Sequence, residues 1–125
     1  MNVNKKQNKY FLGIIEDRPD SDESRVIYLV NNSEEEIINI YYKYSIDGKL
    51  LFLCNKIPAK NYISVECLDY RSLDFLNIYI FQFDNSLGEK KQVGFMFKYE
   101  PIFDKKIIIP VVNKEGVIIT GVDNI

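Results

Sequence analysis

The sequence predicts an all-β fold: an antiparallel β-sandwich of about nine strands, with an immunoglobulin-like arrangement favoured over a closed barrel. Three observations point there. Ile, Val, Tyr and Phe dominate the apolar residues, and Ala59 is the only alanine. Branched and aromatic side chains suit a pleated, half-buried surface, whereas alanine is the best helix former. The stretch 36–46 alternates strictly, with Ile38, Ile40, Tyr42, Tyr44 and Ile46 on one face and Asn39, Tyr41, Lys43 and Ser45 on the other. That period of two excludes an amphipathic helix there. Turn signals then recur at the spacing of about 8–12 residues typical of sandwiches and barrels.

Each element follows in order. Residues 1–8 read as a mobile polar leader, and 9–125 as one domain. Residues 9–15 form the first strand. The charged stretch EDRPDSDES, 16–24, fits neither regular period and is a loop. RVIYLVN, 25–31, is apolar on both faces and reads as a central strand. After the Tyr-rich strand, Asp47-Gly48 is the preferred pair for a type I′ hairpin, with positive φ at both residues, returning into a strand at 49–55. KIPAKN is a turn, and 62–67 a short strand. DYRSLDFLN, 69–77, is the one helical candidate: Asp69 can cap it, and Leu73 and Leu76 share a face. IYIFQFD, 78–84, is apolar on both sides. Residues 92–99 put Val93, Phe95, Phe97 and Tyr99 on one face before Pro101 breaks the run. A last hairpin is expected from strands 106–112 and 117–120.

The chain offers little chemistry. It has no histidine, which removes the usual base near neutral pH, the usual partner of a nucleophilic Ser or Cys, and the commonest metal ligand. The acidic cluster of Glu16, Asp17, Asp20, Asp22 and Glu23 lacks the pattern of a calcium loop. The six glycines have no phosphate-loop spacing; Gly48, Gly88 and Gly116 are read as turn residues, and Gly13 and Gly94 as marks of bulges. No cofactor, no metal and no catalytic residue is expected. Cys54 and Cys67 are read as buried free thiols. The first residues contain no apolar signal region, and no apolar run approaches the ~20 residues of a membrane span, so a cytoplasmic protein is expected.

With 16 basic and 18 acidic residues the net charge is −2, and the lysine pairs at 5–6, 90–91 and 105–106 are short and separate. This is not the footprint of a general nucleic-acid binder. Of the aromatic residues, Tyr42 and Tyr44 are assigned to the core and Tyr41 to the opposite face, where it is a candidate contact. The terminal segment is a second candidate. Chain ends often lie outermost, Pro110 suits an edge strand, and Ile108 and Ile109 would present opposite faces to a partner or a second copy.

The order of segments YFLGIIEDRP, RVIYLVNNS, IYYKYSIDGK and IPAKNYISVECLDYRSLDFLNIYIFQF resembles a β-rich domain of unknown function. That domain occurs in the middle of bacterial Smr (small MutS-related) family proteins. The resemblance covers roughly residues 10–83 and weakens from Val93 onward. It implies a β-sandwich accessory module without the Smr nuclease domain, and it carries over no functional residue. The expected function is a non-catalytic interaction module that binds protein through a sheet edge or face. A nucleic-acid-binding accessory domain and a carboxylate-only enzyme are the alternatives.

Overall fold

A computed structural model describes residues 9–16, 25–68, 75–98 and 106–122. The expected leader 1–8, most of the charged loop, helix residues 69–74 and the Pro101 break lie outside these. Among the described residues every regular element is a strand. They are β1 (Tyr10–Glu16), β2 (Arg25–Asn31), β3 (Ile37–Tyr44), β4 (Leu51–Ile57), β5 (Asn61–Leu68), β6 (Asn77–Asp84), β7 (Lys90–Phe97), β8 (Ile107–Ile108) and β9 (Glu115–Thr120). Phe75 and Leu76 are not helical, and Asn77 already opens β6.

The strands form two antiparallel sheets with no barrel closure. Sheet one has the order β5-β2-β1-β9-β8 and sheet two the order β4-β3-β6-β7. Their inner faces share one apolar core. Leu12, Ile14, Ile27, Leu29 and Val117 from sheet one meet Ile40, Tyr42, Tyr79, Phe81, Phe83, Phe95 and Phe97 from sheet two. β2 and β6 are interior strands with both neighbours paired, and the outward Val30 of β2 is covered by Ile109 and Val112.

The Tyr-rich strand departs from strict alternation. Ile38 pairs with Asp84, but the next pair is Tyr41 with Gln82, so β3 carries one extra residue there. Asn39 takes up the bulge with φ of 53°. Ile37, not Ile38, therefore joins Ile40 and Tyr42 in the core, and Asn39 turns outward. Opposite the bulge, β4 slips between Phe52 and Cys54. Gly13 and Gly94, expected at bulges, both stay in continuous register.

The turn after β3 also corrects the expectation. Gly48 N–H donates to the Ser45 carbonyl at 3.2 Å, so Ile46 and Asp47 are the central pair. The positive φ belongs to Ser45, at 71°, and not to Asp47 or Gly48. Glycine is needed at 48 because a Cβ would run into the Tyr44 carbonyl.

The last hairpin differs most. The expected strand 106–112 shrinks to Ile107–Ile108, because Pro110 offers no N–H and Val111 adopts a φ of 73°. The chain instead turns back: Ile109 N–H donates to the Lys114 carbonyl, and Asn113 N–H to the Ile109 carbonyl. Ile109 and Val112 drop onto the outer face of sheet one, where Phe11, Ile15 and Val30 complete a second apolar cluster. Gly13 and Gly116 make room for this. A Cβ on Gly13 would stand 3.1 Å from the Ile109 Cδ1, and one on Gly116 would stand 2.5 Å from the Ile14 carbonyl. Gly116 is thus a close-approach residue of β9 and not the turn residue expected.

Candidate functional site

The strand registers place Phe52, Tyr41, Gln82 and Gln92 in one row across the outer face of sheet two. Period two leaves no alternative for the last three. With Tyr42, Phe81 and Phe83 in the core, their neighbours Tyr41 and Gln82 must face outward. The row borders a groove of about 710 Å³ whose walls include Asn39, Tyr41, Leu50, Asp84, Lys90 and Lys91. That volume lies in the range of small-ligand sites, roughly 300–1,000 Å³.

The apolar half of the site lies toward β4. Tyr41 is 39% exposed and Phe52 54%, and their rings meet edge to face with centroids 5.3 Å apart. Leu50 is exposed beside them. The polar half lies toward β7. Gln82 Nε2 donates to Gln92 Oε1 at 3.1 Å. Asn39 Nδ2, turned outward by the bulge, donates to Asp84 Oδ2 at 3.0 Å, and Lys90 Nζ donates to Asp84 Oδ1 at 3.2 Å. The Asn39 hydrogen bond, with Lys90 beside it, holds the Asp84 carboxyl below its ordinary range. Past the turn, Lys91 pairs with Glu89 at 3.7 Å. The Glu89 carboxyl is likewise lowered, first by the Asn85 amide and then by Lys91.

A second polar cluster lies inside. Glu66 of β5 accepts hydrogen bonds from the Tyr42 hydroxyl at 3.0 Å and the Tyr79 hydroxyl at 2.8 Å. Burial, then the Glu66 carboxylate, pushes both hydroxyls above the ordinary tyrosine value. Hydroxyls so held keep their protons, which suits them to bracing the sheets and not to proton transfer. Asn31 and Ser33 form a third, structural knot. The Asn31 Nδ2 donates toward the carbonyls of Glu35, Ile57 and Pro58, and Ser33 Oγ lies 2.6 Å from Asn31 Oδ1.

The predicted contact residues do not converge. Tyr41 lies on sheet two at the groove. Ile108 is exposed on β8, the outermost strand of sheet one. Ile109 is fully buried in the second apolar cluster and is closed to any partner. The reading of Ile108 and Ile109 as opposite faces of an extended edge strand is therefore corrected. Both cysteines are free thiols, but only Cys54 is partly buried; Cys67 is exposed, against expectation. Burial raises the Cys54 thiol pKa.

Sequence reasoning missed Phe52, Gln82, Gln92 and Asn39. The two glutamines carried a signal: each is a polar residue at an outward position of a strand otherwise rich in aromatics. The Asn39 bulge carried none. Among the described residues, no three His, Cys, Asp or Glu side chains stand close enough to hold a metal ion, and no helix is long and apolar enough to cross a membrane. No family model, curated protein or solved structure matches this chain.

Proposed function

We propose that the domain is a non-catalytic interaction module that docks a partner protein on the apolar half of the outer face of sheet two. The observation that carries this reading is the cluster of Tyr41, Phe52 and Leu50. These large side chains are exposed together on one outer face, whereas Tyr79, Phe81, Phe83, Phe95 and Phe97 of the same sheet are buried. Aromatic anchors of this kind supply most of the energy of protein interfaces. β4 adds a second attraction, since among the described residues it pairs only with β3 and its other side is an unpaired edge.

The finer fold reading is immunoglobulin-like. The order β1-β2-β5 facing β4-β3-β6-β7 supports it, being the A-B-E and C′-C-F-G order of that class with β9 and β8 added beside β1. The accessory domain of Smr proteins remains the family we propose, on the segments quoted above. Two free thiols support a reducing, cytoplasmic compartment. A nucleic-acid partner is disfavoured: Lys90 and Lys91, the lysine pair beside the aromatic row, face Asp84 and Glu89.

Site-specific photocrosslinking in the native host tests the reading. A photoreactive phenylalanine at position 41 should give one dominant protein adduct, and the same group at Tyr62 on sheet one should not. Phe52→Lys should abolish the adduct while the far-UV spectrum stays unchanged. Equal adducts at both positions, an adduct insensitive to Phe52→Lys, or a nucleic-acid adduct would each overturn it.

A further inference from the structure

The polar half of the groove has a chemistry that protein docking does not use. Its walls carry Asp84, Lys90 and Lys91; Lys90 pairs with Asp84, and Lys91 with Glu89 just outside the groove. The local field is therefore close to neutral, with nothing to draw in an anion or a cation. The backbone beneath is no more available. Away from the bulge at Asn39, β3 and β6 are interior strands whose N–H and C=O groups belong to the ladders on both sides, so a peptide laid across this face meets chiefly side chains. What remains is an aromatic wall, Tyr41, and planar amides, Gln82, Gln92 and Asn39.

Those groups suit one ligand chemistry. An amide offers two donors and one acceptor oxygen in a single plane, which matches vicinal hydroxyls that both donate and accept. The electron-rich face of an aromatic ring suits the C–H-lined face of a sugar ring. The amides also stand in fixed positions. Gln82 is tied to Gln92, and Asn39 is held to Asp84 by a bulge with a left-handed backbone, a strain of the kind that collects at binding sites.

We infer that the groove formed by Asn39, Tyr41, Gln82 and Gln92 binds a neutral oligosaccharide. This goes beyond the protein-docking reading, with which it shares only Tyr41, and it rests on the amides. The sugar stacks on Tyr41 and its hydroxyls bridge the amides of β6 and β7.

The test uses the full chain, labelled with nitrogen-15, and an array of neutral glycans built from hexoses, N-acetylhexosamines and pentoses. The arrayed glycans that give signal are then titrated in solution. The expected result is that at least one shifts the side-chain amide signals of Gln82 and Gln92. Its affinity should be unchanged between 0.05 and 0.5 M salt, because no ion is released on binding a neutral ligand, in contrast to the steep loss for a binder of nucleic-acid phosphates. Gln82→Ala and Tyr41→Ala should each weaken it about tenfold or more. Both positions are solvent-facing, so folding is preserved, and a far-UV spectrum verifies it. Absence of any neutral glycan on the array, binding that survives both substitutions, or binding confined to anionic glycans or peptides would each overturn the inference.

Discussion

On sheet one, the outward side chains Phe11, Ile15 and Val30 lie under Ile109 and Val112, and two glycines keep that cover close to the strands. On sheet two, the outward side chains Tyr41, Gln82 and Gln92 stand at an open groove. Both are outer faces of antiparallel sheets in one small domain. The difference lies in what the chain placed there: branched and aromatic residues where its own segment covers sheet one, and amides beside an exposed tyrosine at the groove, whereas Ile80, outward elsewhere on sheet two, is buried. A groove left open on a chain able to seal the opposite sheet is a place to look for a partner.

The sharpest way to break this comparison is a pair of adjacent substitutions. Ile109→Lys buries an unpaired ammonium under Val112 and against Gly13, and should cost about 4 kcal/mol or more in urea unfolding. Ile108→Lys, one residue away on an exposed side chain, should stay within about 0.5 kcal/mol of the parent. Similar losses for both would mean that the terminal segment does not seal sheet one. Next in size, Gly116→Ala forces a Cβ against the Ile14 carbonyl and should cost about 1–3 kcal/mol by overpacking, read from the same urea midpoint.

A pH titration probes the layer between the faces. Tyr79 and Tyr42 ionise in the folded state above the ordinary value of 10.0, chiefly because they are buried. Above that pH the unfolded chain gives up tyrosine protons that the folded chain retains, so stability is full below pH 10 and falls as pH rises beyond it. Replacing both tyrosines by phenylalanine should flatten that decline. The smallest effect belongs to the open face. Tyr41→Ala removes only the edge contact with Phe52 and should shift stability by less than about 1 kcal/mol, while weakening sugar binding about tenfold or more. A large loss of stability would make Tyr41 a structural residue and erase the contrast.

Much of this was legible in the residues. Period two in 36–46 and the two-sided apolar runs at 25–31 and 78–84 identified strands, and the first of those runs the interior position of β2. They also set Tyr41 apart from Tyr42. The bulge at Asn39 was not legible, because an extra residue leaves the alternation on each side intact and only shifts its phase. The fate of Ile109 was hidden for another reason. A run such as IIIPVV reads as a strand by composition, and only the tertiary space offered by Gly13 and Gly116 turns it into a plug. The glutamine row was visible as outward polar residues, but aligning Gln82 with Gln92 and Tyr41 required the register.

The two margins of the layered structure are closed by different means. On one, β7 meets β1 and β9, and the chain beyond β9 crosses over so that Val122 N–H donates to the Gly94 carbonyl at 2.9 Å. On the other, β4 and β5 touch without pairing, and Glu66, held by Tyr42 and Tyr79, ties β5 to the opposite layer. The β7 margin joins strand contacts with both β1 and β9 to a backbone hydrogen bond, whereas among the described residues the β4–β5 margin relies on side chains alone. Thermal breathing should therefore hinge about the β7–β9 margin and open first at β4 and β5. The amide protons of those two strands should exchange with solvent well before those of β1, β2 and β6. Glu66→Gln, which replaces one acceptor oxygen by a donor, should quicken that opening and leave the hinge side unchanged.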